Sequence, residues 1–236
     1  MGKDKFKRFQ ECLTFDCMIQ PLFEEMYKKD YPLKGLWRRD FFKNENPIIL
    51  ELGCGRGEYT VGLGKQHPEI NYIGIDIKGA RMWRGAKTAT EEKMPNIGFL
   101  RTRIEFVESF FAEGEIDEIW ITFPDPQMKR DRAKKRLTAP EFLSIYSKFL
   151  KSDGFINLKT DSQFLHTYTK SVAIENGLEV AECNNDIYNN PQSLPHELLT
   201  IQTTYEKKFL KEGMPITYIK YQLGDKREFT TPPDEE

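Results

Sequence analysis

The texture of this chain changes at residue 47, and that change restricts the fold more than any other feature. PIILEL (47–52) is a short apolar run rich in branched side chains. It reads as a buried central strand. The run passes directly into Gly53, Gly55 and Gly57. Glycines at alternate positions mark a backbone that must turn tightly and leave room for something to approach it. A buried strand that ends this way and enters a helix belongs in an open α/β sheet.

The rest of the sequence repeats the alternation. Further strands are expected at 71–77 (NYIGIDI), 97–101, 116–123, 155–160, 178–183 and 216–223. Helical stretches lie between or beside them at 57–66, 78–93, 138–150, about 162–176 and 197–212. Thr138 is expected to cap the third helix, with Pro140 in its first turn and Glu141 closing a capping box. Asp161 or Ser162 is expected to cap the fourth, and Gly177 to stop it. The pattern predicts the α/β class: a seven-stranded, mostly parallel sheet with helices on both faces. A chain of 236 residues is long enough for one such domain, expected over 46–224. Residues 1–45 are read as an arm and cap, with a mobile arm over 1–11 and an aromatic-rich cap over 12–45. Residues 225–236 are read as an acidic tail.

Composition removes several classes of function. No apolar run is long enough for a bilayer, and residues 1–20 lack the apolar segment of a signal peptide. The four cysteines, at 12, 17, 54 and 183, form no CxxC pair, and there are only three histidines. Neither a metal site nor a disulfide framework is expected, and a reduced, cytoplasmic setting fits best. The net charge of -2 conceals a strong local asymmetry. Lys129, Arg130, Arg132, Lys134, Lys135 and Arg136 crowd one segment against the single Asp131. Such a patch would hold phosphates, with an affinity that falls as salt rises.

In open parallel sheets, ligands bind beyond the carboxyl ends of the strands. That rule singles out the loops at 53–57, 76–78, 102–105, 123–137 and 160–162. In the first, ELGCGRG has the spacing G-x-G-x-G, preceded by Glu51. The dinucleotide fingerprint is G-x-G-x-x-G with a pyrophosphate on the helix N-terminus, where a glutamate would be unfavourable. Beside the ammonium and sulfonium of S-adenosylmethionine it would be favourable. Glu51, Gly53, Gly55 and Asp76 are therefore candidate residues for that cofactor, with Asp76 placed to accept from ribose hydroxyls. This is the pattern of the Rossmann-like class I methyltransferases.

The fourth loop begins FPDP. Pro124 and Pro126 fix their own φ and restrict the residues before them, so Asp125 is expected to be extended and rigid. A carboxylate there could orient a base while the cations after it hold the backbone attached to that base.

FPDP with a lysine behind it and a basic run ending KKRL at 134–137, then LKTD at 158–161, then TTYE at 203–206 resemble the bacterial tRNA (guanine-N7)-methyltransferase family. The likeness runs from about Pro47 to Leu223. It implies methyl transfer from S-adenosylmethionine to N7 of the variable-loop guanine at position 46 of tRNA, by a monomer or homodimer. It implies cofactor contacts at Glu51, Asp76, the position of Arg103 and Asp125, with Asp125 shared with the substrate as the catalytic acid. Lys129, Asp161, Thr203, Tyr205 and Glu206 would contact substrate, and residues 130–136 would face RNA. Two departures stand out. Gln127 and Met128 replace the family's usual Trp-Pro, removing a rigid aromatic wall. Arg103 replaces an acceptor after the third strand, leaving the backbone at 103–104 or Glu105 to meet adenine. Rival readings are an amino-group methyltransferase acting on N6 of adenine or N2 of guanine, a nicotinamide dehydrogenase, and a non-catalytic RNA-binding module.

Overall fold

The computed structural model describes residues 3–192 and 194–233. Its strands are β1 (Met18–Ile19), β2 (Ile48–Leu52), β3 (Asn71–Asp76), β4 (Ile97–Arg101), β5 (Ile116–Thr122), β6 (Leu150–Thr160), β7 (Val180–Asn184) and β8 (Thr217–Gln222). They form one sheet in the order β1-β4-β3-β2-β5-β6-β8-β7. Every pairing from β1 to β6 is parallel, and β8 is antiparallel to both neighbours. The chain leaves β2 in one direction through β3 and β4, then returns to β2's other side with β5. This reversal opens a crevice at the carboxyl ends of β2 and β5.

The sheet has eight strands where seven were expected. The additional strand is β1, two residues paired with Phe99 and Leu100. A run that short carries no periodicity. The expected strand at 155–160 begins earlier, at Leu150, with a register shift between Ile116 and Glu118 of its partner.

Side chains of β2 alternate between two cores. Ile48, Leu50 and Leu52 face a layer that includes Phe142 and Tyr146 of α5 (Pro140–Tyr146) and Leu165 and Tyr168 of α6 (Gln163–Glu175). Ile49 faces Tyr59 and Leu63 of α3 (Glu58–Gln66) and Met82 and Ala86 of α4 (Gly79–Glu91). Ser162 caps α6 by accepting from the Leu165 N–H at 3.1 Å. The expected capping box on α5 is absent, because Ala139 holds the cap position. Thr138 is buried and shares a 2.8 Å hydrogen bond with Thr169 instead, tying α5 to α6.

The helix expected over 197–212 is two helices, α7 (His196–Thr200) and α8 (Thr204–Lys211). The break is filled by Lys159 of β6. Its ammonium is fully buried and donates to the carbonyls of Leu198 at 2.6 Å and Ile201 at 3.3 Å. It also pairs with the equally buried Glu206 at 2.6 Å.

Residues 3–12 form α1 (Lys3–Cys12), not a mobile arm. The Glu11 carboxylate accepts from Trp83 Nε1 at 2.7 Å and Lys87 Nζ at 2.9 Å. Arg8 lies 4.8 Å above the Trp83 ring, and Arg101 stacks on Phe9 at 5.0 Å. The sequence carries only a short apolar stripe for this helix, Phe6, Phe9 and Cys12 at three-residue spacing, and Cys12 is its fully buried member. The cap is anchored by Trp37, fully buried, whose Nε1 donates to the Phe110 carbonyl at 2.8 Å. The tail expected to be acidic is described only to residue 233, so Asp234–Glu236 lie outside the described residues.

Removing one partner of a fully buried ion pair leaves the other charge stranded. Lys159→Met should therefore lower unfolding free energy by about 3–5 kcal/mol in urea titration. The loss should greatly exceed that of Lys151→Met, whose side chain is 42% exposed beside Asp117.

Candidate active site

The loop after β2 is built from three left-handed glycines, with φ of 76° at Gly53, 55° at Gly55 and 70° at Gly57. At Gly57 a Cβ would fall 2.6 Å from the Phe99 ring, so no side chain fits. The Gly53 and Cys54 N–H groups both donate to the Ile75 carbonyl, at 2.8 and 3.0 Å. Asp76, at the end of β3, accepts from the Gly55 N–H at 3.0 Å and the Lys78 N–H at 2.7 Å. The acid expected to meet a ribose therefore also holds the glycine loop in place.

A cleft of 330 Å³ opens at this end of the sheet. Gly53, Asp76, Arg103, Glu105, Gln127 and Lys135 are among its lining residues. The Arg103 guanidinium is turned onto Glu105 at 2.9 Å and lies 5.8 Å from the Phe106 ring centre. Both charged side chains of the third loop are thus occupied with each other. The buried Thr102 hydroxyl donates to Met26 Sδ at 3.2 Å, so the cap segment supports the cleft from below.

Glu51 does not line the cleft. It is 3% exposed, beneath the glycine loop. One oxygen accepts from Thr122 Oγ1 at 2.6 Å, and the other from Thr60 N at 2.8 Å and Oγ1 at 2.5 Å. Burial pushes its carboxyl up to about 7, against the opposing pull of those hydrogen bonds. No cation pairs with it among the described residues. A cationic ligand group arriving beside Glu51 would favour the ionised form.

The loop after β5 is strained at two positions. Phe123 has φ 48° and Gln127 has φ 46°, unusual for an aromatic residue preceding proline and for a glutamine. Lys159 holds the first through its carbonyl, which accepts from the Phe123 N–H at 2.9 Å. Asp125 stands exposed between them and accepts from the Gln127 N–H at 3.1 Å. Asp161, at the end of the adjacent β6, is half-buried, and burial raises its carboxyl above the ordinary range. Ser162 supplies the cap of α6 that Asp161 was a candidate for.

A family model described as putative methyltransferase matches residues 45–219. A tRNA (guanine-N(7)-)-methyltransferase of Christiangramia forsetii is 52% identical over 222 residues, covering 94% of this chain and 99% of the relative. The Porphyromonas gingivalis protein of the same name is 55% identical over 214 residues, covering 90% and 86%. The chain belongs to the tRNA (guanine-N(7)-)-methyltransferase family. Among solved structures, a 30S ribosomal A1408 methyltransferase from an uncultured bacterium aligns with TM-score 0.56 at 21% identity over 78% of this chain and 91% of that one. The 16S rRNA methyltransferase KamB aligns at 0.58 and 15% over 84% and 92%. At such identities these likenesses speak for the fold alone.

Within this family frame, three expected site residues besides Glu51 turn inward. Arg136, expected to face RNA, is 1% exposed. Its guanidinium lies 4.7 Å from the Phe164 ring centre and 4.2 Å from that of Tyr168, and its Nε donates to the Gln127 carbonyl at 3.2 Å. It pins the reactive loop to α6. Glu206, expected at the substrate, is fully buried against Lys159 and accepts from the Tyr188 hydroxyl at 2.8 Å. Thr203 is 7% exposed and caps α8 by accepting from the Glu206 N–H at 3.1 Å. Lys129, Arg130, Arg132, Lys134 and Lys135 are exposed, as a phosphate-binding segment requires. Tyr205 is exposed but lines a different cleft, together with Gly55.

Sequence reading missed Lys159 and assigned Arg136 to the RNA-facing segment instead of the interior. Lys159 carried a signal, since a lysine inside the apolar run FINLKT must find a partner or break the strand. Arg136 carried none, because it looks like its neighbours.

The Glu51 carboxyl keeps its proton in the folded state between roughly pH 4.5 and 7, where the unfolded chain has lost it. Its contribution to stability therefore falls as pH rises through that window. Glu51→Gln should melt above the wild type at pH 8, by up to about 3 kcal/mol in unfolding free energy, and the gap should close toward pH 5. Separately, Arg136→Ala should lower the melting temperature and speed amide exchange in 127–135, whereas Lys135→Ala should leave both unchanged.

Proposed function

We propose that this protein transfers a methyl group from S-adenosylmethionine to N7 of the variable-loop guanine at position 46 of tRNA. The observation that carries the reading is the pair Asp125 and Asp161. These two carboxylates follow the adjacent parallel strands β5 and β6 at the carboxyl end of the sheet, and neither forms an ion pair among the described residues. The names of the relatives, which are tRNA (guanine-N(7)-)-methyltransferases, support it.

The residues fit the cofactor on grounds of charge and shape. Glu51 is a buried carboxylate lacking a cation, suited to an ammonium. Asp76 and the backbone at 102–105 line a cleft suited to a nucleoside. With Arg103 and Glu105 paired to each other, adenine is left to the backbone at 103–104. S-adenosylmethionine, when bound, supplies an electrophilic methyl group on a sulfonium.

Guanine N7 offers an in-plane lone pair and carries no proton, so no general base is needed before attack. Asp125 and Asp161 accept hydrogen bonds from N1–H and N2–H. They hold the ring in the attacking orientation and stabilise the positive charge it gains. Lys129 and the exposed cations at 130, 132, 134 and 135 grip the phosphates on one side. Gln127, with its backbone pinned by Arg136, forms part of the wall where the family's usual pattern has an aromatic ring. The amino-group alternative is less well supported, because no aromatic residue follows Pro126 to stack on a target base.

Incubation with unmodified tRNA and S-adenosylmethionine, followed by nucleoside mapping, should yield 7-methylguanosine in the variable loop. Methylation of an exocyclic amine would overturn the reading. Asp125→Ala should reduce kcat by ~10²–10³-fold, the scale seen on removing one transition-state-stabilising group. Its tRNA Kd should stay within about twofold.

A further inference from the structure

Arginines also collect on the other face of the sheet, and no part of the cofactor site or reactive loop uses them. Arg81 and Arg84 are three residues apart on α4, so they project from one side of that helix. Arg56 follows Gly55 in the glycine loop, and Arg8 comes from α1. The four line a cleft of 340 Å³ with Trp83 and Tyr205. All four arginines are exposed, and among the described residues none of them pairs with a carboxylate.

The nearby acids are engaged elsewhere. Glu11 is held by Trp83 and Lys87. Glu58 accepts from the Thr204 N–H at 3.1 Å and the Thr204 hydroxyl at 2.5 Å. Asp76 is held by Gly55 and Lys78. A second cleft of 410 Å³ shares Arg56 and Arg84 and extends the basic track to Lys207. Arg56 donates to Thr204 Oγ1 at 3.2 Å, but among the described residues the four like charges, brought together by three separate elements, have no direct carboxylate partner.

We propose that this arginine cleft is a second grip on the RNA substrate, binding sugar–phosphate backbone on the flank opposite residues 129–135. The inference rests on the tRNA reading above and extends it to residues of α1, the glycine loop and α4. Topology supports the placement. The cleft lies beside Gly55, after β2, and at the start of α4, after β3, whereas the basic segment follows β5 on β2's other side. Both therefore stand at the carboxyl end of the sheet, with the crevice between them. An RNA lying across the mouth would meet cations on both flanks. Guanidinium groups suit phosphate oxygens, and Tyr205, 48% exposed, offers a ring face for an unpaired base. A small free anion would need only one or two of these groups and no aromatic face.

The test is salt-dependent binding of unmodified tRNA by the full chain. Each phosphate contact adds about 0.7–0.9 to the slope of log K against log salt. Losing two should shrink the ratio of Kd at 200 mM to Kd at 50 mM salt by about tenfold. That is the result expected for Arg81→Gln with Arg84→Gln, with S-adenosylmethionine affinity unchanged and kcat at saturating tRNA preserved. Arg8→Gln, on a different element, should lower the slope by about half as much. The double Arg→Lys variant should retain the slope, which would exclude misfolding as the cause. An unaltered slope in the double Gln variant would overturn the proposal and point to an acidic protein partner or to no ligand. The tRNA reading fails separately, through wild-type enzyme that leaves guanine N7 unmethylated.

Discussion

A lysine ammonium without access to water is costly to keep charged, and burial pulls the Lys159 ammonium below its ordinary range. The fold retains it by giving it three acceptors: two carbonyls where α7 breaks into α8, and the Glu206 carboxylate. Much of the catalytic end follows from this arrangement. The same residue's carbonyl holds the Phe123 N–H, and so sets the strained entry to the Asp125 loop. Glu206 in turn completes the capping box that starts α8 and presents Tyr205. One buried charge thus connects the sheet, the reactive loop and the last helix. A neutral side chain at 159 would leave those carbonyls unsatisfied.

How much of this could be read beforehand depended on whether a residue's role was set locally. Strands β2 to β5 lie within about one residue of their expected limits, because each is an apolar run closed by glycine, proline or a charged loop, whereas β6 begins five residues before its expected start and β1 left no run to read. The glycine loop and Asp76 were legible for the same reason. Three alternate glycines dictate that backbone, and Asp76 ends the next strand in register. Gly177 at the end of α6 was equally legible, with φ 62°.

What stayed hidden was decided by distant partners. Arg136 sits in a run of cations and is sorted inward only because Phe164 and Tyr168, on a helix that begins 27 residues later, provide ring faces. Thr138 seemed a cap by spacing, yet Thr169 claims its hydroxyl. The helix at the amino end has only the short apolar stripe Phe6, Phe9 and Cys12, and it is fixed by distant partners, with Glu11 held by Trp83 and Lys87 and Phe9 covered by Arg101. Glu51 was recognised by charge, but its depth beneath the loop, with Thr60 and Thr122 on its oxygens, was not.

The position of β8 has a consequence for the order in which the molecule is made. The ribosome releases a chain from its amino end, but β8, made after β7, lies inside the sheet between β6 and β7. Until it emerges, β6 has an open edge, β7 has no neighbour, and the buried lysine lacks the carboxylate that β8's preceding helix supplies. The nascent chain can pair β2 to β5 early, but β6 and β7 must wait until β8 has been made. A chain released before β8 is made would therefore expose an unpaired strand edge and an uncompensated buried cation.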